Sequence, residues 1–173
     1  VAGAAWLGDP SLQKLLAVLC EGEDTARIVG GAVRNTLLGE AVTDIDIATT
    51  TLPDETVRRA ERAGFRTFPS GIEHGTVTVI ADGRPHEVTT LRSDIATDGR
   101  RATVAYGRDW AIDAGRRDFT VNALYADADG TVIDLVGGLA DLETRTIRFI
   151  GDAETRIRED YLRILRFFRF NAE

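Results

Sequence analysis

Hydrophobic residues recur along the chain with helical spacing in some segments and in short apolar or alternating runs in others. Four leucines within residues 11–20 follow helical spacing, and Asp9 with Pro10 is a typical helix start. An apolar run at 26–29 predicts a strand, and a second helix is predicted at 32–38. The first part of the chain therefore mixes strands and helices.

Polar and apolar side chains alternate from Asp44 to Ile47, which is the pattern of a strand. In such a strand the carboxylates of Asp44 and Asp46 leave one face, while the two isoleucines enter the core. Two carboxylates sharing one space, with phosphates from a substrate, can hold two Mg²⁺ ions for phosphoryl or nucleotidyl transfer. The alternative is a solvated strand face, because so short a motif often matches by accident.

A glycine turn precedes the second helix and is a candidate phosphate site. Gly30 and Gly31 lead into the helix, whose first backbone N–H groups have no partner within the helix. Arg34 lies in that first turn and adds a positive charge. An ordinary turn is the alternative, but the nearby aspartates favour phosphate binding.

The rest of the pattern completes a mixed β-sheet flanked by helices. Glu87 and Val88 lie on opposite faces of a predicted strand, so Glu87 could add a third carboxylate near Asp44 and Asp46. A glutamate that faces water from an edge strand is the alternative. The further predictions are a helix with a solvated charged face at 54–63, a hairpin at 76–80 and 87–91 beside the aspartate strand, a mobile loop at 92–115, helical spacing at 116–124, a hairpin at 124–126 and 131–133, and one amphipathic helix from 152 onward.

Composition limits the class of protein. A length of 173 residues with 43% hydrophobic content fits one globular domain, or one domain and the start of another. A net charge of −7 argues against gripping nucleic acid by overall charge and suits a cation site. Seven arginines make the segment from Arg145 to Arg169 locally positive. Because the chain lacks methionine and stops within a helical pattern, we expect a fragment of a longer protein.

Single residues and absent signals give further expectations. Cys20 is the only cysteine, which excludes an internal disulfide, and we expect it in the core of the first helix, in a reducing cytoplasm. No segment reaches the roughly 20 apolar residues of a membrane span, and no secretion signal is present. His74 and His86 have no partner at metal spacing and are expected in surface or turn positions. Five aromatic side chains are expected in the core: Phe65, Phe68, Phe167, Phe168 and Phe170.

Five motifs follow one another along the chain. They are Gly30-Gly31-Ala32-Val33-Arg34, Asp44-Ile45-Asp46, Arg116-Arg117-Asp118-Phe119-Thr120-Val121-Asn122-Ala123, Gly137-Gly138 with Asp141-Leu142, and Glu159-Asp160-Tyr161-Leu162-Arg163-Ile164-Leu165-Arg166. In this order they resemble the motif set of class II tRNA nucleotidyltransferases, which include the bacterial-type CCA-adding enzymes and the bacterial poly(A) polymerases. The resemblance covers the chain from the first strand to the end.

The resemblance implies a fold and a set of functional residues. A nucleotidyltransferase head would occupy residues 1–147, and residues 148–173 would begin an all-helical neck. Asp44 and Asp46 would bind two Mg²⁺ ions, and we add Glu87 as a candidate catalytic residue from the strand pattern. Phosphate contacts would come from Gly30, Gly31 and Arg34. Ribose and phosphate contacts of the incoming nucleotide would come from Arg116, Arg117, Asp118 and Asn122.

The resemblance also implies how the base is read. Asp160 and Arg163, oriented by Glu159, would contact the base of the incoming nucleotide. A carboxylate that accepts from an exocyclic amine, beside a guanidinium that donates to a ring nitrogen, suits cytosine and adenine alike. Uracil and guanine would leave buried groups unpaired, at about 1–3 kcal/mol each. CTP and ATP are therefore the expected nucleotides, and the tRNA 3′ end is the expected acceptor, gripped mainly by domains outside the chain.

Several alternatives stay open at this point. The family usually has an aspartate where this chain has Asn35, so an ionic partner of that aspartate would be lost. CCA addition is the leading function, and poly(A) synthesis or addition of only CC or only A are its rivals. The length of segment 92–115 favours competence to add A. An inactive nucleotide- or RNA-binding module and a small-molecule nucleotidyltransferase are the alternatives of other kinds.

Overall fold

The computed structural model describes residues 1–98 and 101–172, with the side chains of all of these except residues 70, 94–98 and 101–104. The described α-helices are α1 Pro10–Leu19, α2 Gly31–Leu38, α3 Pro53–Arg62, α4 Trp110–Arg116, α5 Gly138–Glu143, α6 Ala153–Glu159 and α7 Leu162–Ala172. The strands are β1 Ala26–Val29, β2 Asp46–Thr49, β3 Arg66–Gly71, β4 Thr76–Ala81, β5 Arg84–Thr90, β6 Arg92–Asp98, β7 Arg101–Tyr106, β8 Leu124–Ala126 and β9 Val132–Asp134.

Seven strands form one mixed sheet in the order β3-β4-β5-β2-β1-β8-β9. Strands β2 and β5 run parallel, and the other neighbours in the sheet are antiparallel. Strands β6 and β7 pair only with each other among the described residues, as a separate hairpin. The predicted fold class, a mixed sheet with flanking helices, is confirmed.

The two faces of the sheet contact different apolar clusters. Ile28 and Ile47 join the leucines of α1 in the larger cluster, whereas their neighbours Val29 and Ala48 join a smaller one around Tyr125. This division follows from the two-residue repeat of a strand. The predicted helix start is present as well, since the Asp9 carboxylate accepts hydrogen bonds from two backbone N–H groups at the start of α1, a cap worth about 1 kcal/mol.

Most of the local predictions are confirmed. The first strand, the first three helices and both tight hairpins lie within one to three residues of their predicted positions. Asp82 and Gly83, which join β4 and β5, both have positive φ angles, of 48° and 75°, as a two-residue hairpin turn requires. No helix in the described part of the chain is long and apolar enough to cross a membrane.

Two segments differ from their predictions. The predicted mobile loop at 92–115 contains the β6–β7 hairpin and most of α4, while residues 99 and 100 lie outside the described residues. The segment 116–124 is not one helix, because its backbone bonds go elsewhere: Thr120 N–H donates to the Arg148 carbonyl and Ile150 N–H to the Asp118 carbonyl. The inward positions of Phe119, Ala123 and Leu124 are nevertheless confirmed, since all three are fully buried.

The amphipathic helix predicted from residue 152 is also interrupted. Asp160 has φ −152° and ψ 106°, an extended backbone that ends α6, and α7 begins at Leu162. The Asp160 side chain accepts a hydrogen bond from the Leu162 backbone N–H at 3.0 Å. Such side-chain bonds to nearby backbone compete with a continuous helix, which explains the break.

Some buried and exposed side chains were predicted wrongly. Cys20 is exposed because it follows the last residue of α1 and caps its end. His86 is buried, at 4% exposure, and not a surface or turn residue. Phe68 and Phe168 are 51% and 66% exposed, so they are not core residues. The charged face of α3 is only partly solvated, since Arg59 is 9% exposed.

Candidate active site

The glycine turn lies between β1 and α2, beside β8. Gly30 has φ 73° and ψ −123°, a conformation that residues with a Cβ avoid, and its N–H donates to the Leu124 carbonyl at 3.0 Å. Helix α2 begins at Gly31. The first backbone N–H groups of the helix, which have no acceptor within the helix, therefore lie at this turn. The predicted glycine turn and helix start are therefore present, and the free N–H groups at such a start suit an anion.

The Arg34 side chain extends from the first turn of α2 toward the 120–122 turn and α7. Its guanidinium donates to the side-chain oxygen of Asn122 and, at 3.1 Å, to that of Asn35. It also lies over the ring of Phe170 in α7, 4.8 Å from the ring centroid. Arg34 thus joins α2 to two other parts of the predicted site. Asn35 donates in turn to the Ala41 carbonyl at 2.9 Å, a local bond that needs no charge.

The two aspartates lie at the start of β2, next to the glycine turn. Asp46 is paired in register with Val29, the last residue of β1, and Asp44 precedes the strand by two residues. The predicted alternation holds, because Ile45 and Ile47 are buried at 8% and 0% exposure. The Asp44 carboxylate accepts a hydrogen bond from the Thr43 hydroxyl at 3.0 Å.

Strand β5 brings Glu87 to the same place. Strand β5 lies inside the sheet between β4 and β2, with Val88 opposite Ile47, so the parallel register brings Glu87 across from Asp46. Glu87 is therefore not on an edge strand, but its side chain is exposed, as the alternative expected. Buried His86 holds this corner together through a 3.2 Å contact between its Nδ1 and the carbonyl oxygen of Ile45.

The carboxylates influence one another. Desolvation raises the pKa of Asp46 above its ordinary value, and the negative charge of Glu87 raises it further. Arg117 lowers this pKa, and Asp44 adds a smaller increase. Because such charge effects weaken with distance, Glu87, Arg117 and Asp44 each lie near enough to Asp46 to change its pKa.

The donor set at this corner fits Mg²⁺. That ion takes oxygen ligands and is usually held by one or two carboxylates, completed by waters and substrate phosphates. Asp44 and Asp46 offer that number of carboxylates beside an anion-binding helix start. No group of three or more His, Cys, Asp or Glu side chains in the described residues could by itself hold a metal. Glu87 therefore shares the site without completing a three-ligand cage.

Asp113 orients two of the predicted nucleotide-binding arginines. Its side chain is 1% exposed and lies 2.7 Å from Arg116 and 3.1 Å from Arg117. The Tyr125 hydroxyl donates to the same carboxylate at 2.8 Å. Burial alone would raise the pKa of Asp113, but Arg117, Arg116 and Tyr125 outweigh burial and hold the pKa below its ordinary value. The charge of Asp113 thus fixes both guanidinium groups.

Asp118 joins the middle motif to α7. One of its carboxylate oxygens accepts from the Phe119 backbone N–H at 2.8 Å and from the Asn122 amide at 3.2 Å. The other accepts from Arg166 at 2.7 Å. Asp118 and Asn122 are 9% and 7% exposed. The structure thus brings these two predicted residues together with Arg34 and Arg166.

Glu159 ends α6 and contacts two arginines. One oxygen of its carboxylate lies 2.7 Å from Arg156 and 2.7 Å from Arg163. The predicted Glu159–Arg163 pair is therefore confirmed. Asp160 points its carboxylate at the start of α7, as described above, and does not contact Arg163 through its side chain among the contacts described.

Sequence reasoning missed three residues that support this site. Arg156 had a usable signal, since it precedes Glu159 by three residues, whereas Arg166 pairs with Asp118, 48 residues away, which no local spacing indicates. Asp113 had a usable signal, since it precedes Arg116 by three residues and Arg117 by four, which is contact spacing on a helix. That signal was lost because the segment was assigned to a loop.

Comparison with known proteins gives the family. The profile of the Poly A polymerase head domain matches residues 26–148. The chain is 49% identical over 145 residues to the mitochondrial CCA tRNA nucleotidyltransferase 1 of Danio rerio, covering 83% of this chain and 34% of the relative. It is 49% identical over 150 residues to the CCA-adding enzyme of Levilactobacillus brevis, covering 86% and 37%.

A solved structure agrees with the profile and with the two relatives. The CCA-adding enzyme of Bacillus stearothermophilus in complex with CTP superimposes with a TM-score of 0.84 at 39% identity, covering 94% of this chain and 38% of that one. The chain thus spans little more than a third of the length of the proteins it matches. From the extent of the profile match and the identity to these relatives, the chain belongs to the Poly A polymerase head domain family of nucleotidyltransferases.

Proposed function

We propose that the protein containing this chain is a Mg²⁺-dependent tRNA nucleotidyltransferase that adds C, C and A to the tRNA 3′ end. The observation that carries the proposal is the pair Asp44 and Asp46 at the start of β2, next to the Gly30 turn, with Glu87 on the adjoining strand. Arg117 is near enough to lower the pKa of Asp46. Neighbouring carboxylates beside the start of a helix are what a nucleoside triphosphate and its metal ions require. The names of the relatives, and the CTP bound to one of them, support nucleotide addition to tRNA.

The chemistry is an in-line displacement at the α-phosphorus of CTP or ATP. The RNA 3′-hydroxyl loses its proton to solvent as a bond forms between O3′ and the α-phosphorus, the bond to the β-phosphate oxygen breaks, and pyrophosphate leaves with that electron pair. Two Mg²⁺ ions held by Asp44 and Asp46 would activate the hydroxyl and neutralise the triphosphate. In this proposal, Glu87 acts at the same corner by adding negative charge beside Asp46.

The remaining predicted residues bind and orient the nucleotide. The backbone N–H groups after Gly30 and Gly31, with Arg34, face phosphate, and Arg116 and Arg117 bind the triphosphate with their orientation fixed by Asp113. Asp118 and Asn122 line the ribose site and select for a 2′-hydroxyl. Asp160, between α6 and α7, and Arg163, in the first turn of α7, read the base.

The proposal divides the chain in two. Residues 1–147 form the catalytic head, and residues 148–173 begin a helical neck that carries the base-reading residues. The exposed apolar side chains of the second part, Tyr161, Leu165 and Phe168 at 67%, 67% and 66%, support continued helical packing beyond this segment. The tRNA is held mainly by those further parts. A reducing cytoplasm remains the predicted location and rests on the use of a single cysteine.

The second candidate function is poly(A) synthesis, which the name of the matching family profile supports. Primer extension by the full-length protein distinguishes the candidates. The assay uses Mg²⁺, labelled CTP or ATP, and three primers: tRNA lacking CCA, tRNA ending in CC, and an unstructured RNA. We expect two C additions and then one A on tRNA, and no extension by an Asp44→Ala/Asp46→Ala variant. An Asp54→Ala variant, which removes an exposed carboxylate from the first turn of α3, serves as the matched control.

Two results would contradict the proposal. Long A tails on all three primers would identify a poly(A) polymerase. No incorporation of either nucleotide by the wild-type protein would favour a nucleotide- or RNA-binding module without catalysis.

A further inference from the structure

Arg156 lies between the proposed base-reading residue, Arg163, and the proposed triphosphate-binding residues, Arg116 and Arg117. It belongs to α6, and its side chain is only 12% exposed. Its guanidinium donates to the backbone carbonyl oxygens of Arg116 and Arg117, the latter at 2.9 Å. These carbonyls lie at the carboxyl end of α4, where a helix has acceptors without partners within the helix. A cation at this end also interacts favourably with the negative end of the helix dipole.

The same guanidinium contacts the carboxylate that orients Arg163. Arg156 Nη1 lies 2.7 Å from Glu159 Oε2, and Arg163 Nη1 lies 2.7 Å from that same oxygen. Arg163 Nη1 also donates to the backbone carbonyl of Arg156 at 2.8 Å. Arg156 therefore touches Arg163 twice, once through Glu159 and once through its own backbone.

The Arg156 guanidinium also contacts the two arginines that bind the triphosphate in the proposed function. Arg156 fixes the backbone of Arg116 and Arg117, while buried Asp113 fixes their side chains. A planar guanidinium is suited to this role, because its fork of donors can serve two carbonyls and a carboxylate at once. The base-reading arginine and the phosphate-binding arginines of the proposed function are thus joined through one partly buried side chain.

We propose that Arg156 is a positioning residue for nucleotide selection, which sets Arg163 at a fixed distance from Arg116 and Arg117. The inference rests on the function proposed above. A purely structural role, in which Arg156 only fastens α6 to α4, predicts lower stability with unchanged selectivity. A positioning role predicts that the enzyme loses discrimination between CTP and UTP.

The test measures kcat/KM for CTP and for UTP with the full-length enzyme and tRNA lacking CCA. We expect Arg156→Ala to lower the ratio of CTP to UTP about tenfold, the order of effect of losing one charge-assisted hydrogen bond. Arg158→Ala is the matched control, since Arg158 lies on the same helix and pairs at the surface with Glu154, both about 70% exposed. It should keep the wild-type ratio. Thermal unfolding of each variant reports stability separately.

A conservative variant keeps the test decisive if Arg156→Ala fails to fold. Arg156→Lys retains the charge toward Glu159, but one ammonium group cannot reproduce the planar fork. We expect its ratio to lie between those of the wild type and Arg156→Ala. Wild-type selectivity in every folded Arg156 variant, alongside an active wild type, would overturn the inference alone. A wild type that adds no nucleotide would overturn the proposed function and the inference with it.

Discussion

Three carboxylates hold the arginines of the candidate site in place. Asp113 contacts Arg116 and Arg117, Glu159 contacts two arginines of the C-terminal segment, and Asp118 contacts Arg166. A free arginine side chain loses considerable rotational entropy on ordering. Pairing within the protein supplies that ordering before a nucleotide arrives. In the proposed function, a nucleotide therefore does not lose binding free energy to the ordering of these side chains.

We expect Asp113→Asn to weaken both folding and nucleotide binding. Removing one partner of a buried ion pair costs about 3 kcal/mol, and Arg116 and Arg117 would lose their fixed orientation. The KM for CTP should rise more than kcat falls, because in the proposed function these arginines bind the triphosphate before the chemical step. Steady-state kinetics and denaturant unfolding at neutral pH measure the two effects.

The pH dependence of this effect has a definite sign. The pKa of Asp113 is below its ordinary value of 3.8 in the folded protein, so its stabilising charge is present above that value and is lost as pH falls through the folded pKa. The difference in unfolding free energy between wild type and Asp113→Asn should be constant above about pH 5 and shrink below about pH 4. A difference that grows on acidification would contradict this account.

Asp160 has two separable roles at the start of α7. Its carboxylate accepts the Leu162 N–H, and the proposed function also gives it a contact with the base. Asp160→Asn keeps a capping oxygen but loses the charge, whereas Asp160→Ala loses both. We expect only the alanine variant to lose about 1 kcal/mol of stability, and both variants to lose selectivity for CTP over UTP. Equal melting temperatures for the two variants would contradict the capping role.

At the scale of elements, local signals predicted several elements correctly. The turn at Asp82-Gly83 and the start of α1 at Asp9 depend on neighbours in sequence, and both were predicted. The 116–124 segment was not, because it bonds through its backbone to residues 148–150, which are distant in sequence. Helix α4 was missed although its signals are local: Asp109 caps its start, and Asp113 pairs with Arg116 three residues on.

The Gly137-Gly138 pair shows how one element is seated on another. A Cβ at Gly138 would lie 2.3 Å from the Thr120 carbonyl oxygen, so α5 packs directly against the turn at 120–122. At Gly137 a Cβ would meet no described atom within 4 Å, but φ is +85°. The first glycine is thus required by its backbone conformation and the second by close approach.

Alanine substitutions separate these two requirements. We expect Gly138→Ala to cost about 2 kcal/mol by overpacking, and Gly137→Ala to cost about 1 kcal/mol through its left-handed backbone. Gly115→Ala is the control, since this α4 glycine has no described atom within 4 Å of a Cβ and an ordinary φ. It should be neutral or slightly stabilising. Equal losses in unfolding free energy at all three positions would contradict the packing described here.

At the scale of the whole molecule, the chain brings five sequence-distant motifs to adjoining places. The sequence predicted that the glycine turn would lie beside the aspartate strand, because β1, the glycine turn and β2 are close in sequence. It did not predict that α6 and α7 are separate helices, or that Arg156 and Arg166 fasten them to the 116–118 segment. Those contacts depend on the packing of parts up to 48 residues apart, which no local pattern records.

The central claim is that this site selects C and then A without a nucleic-acid template. The most direct measurement incubates the full-length protein with Mg²⁺, tRNA lacking CCA and all four nucleoside triphosphates together, and then sequences the tRNA 3′ ends. We predict that nearly all extended molecules end in CCA, and that the Asp44→Ala/Asp46→Ala variant yields none. Extension by mixed nucleotides, or by A alone, would contradict the claim.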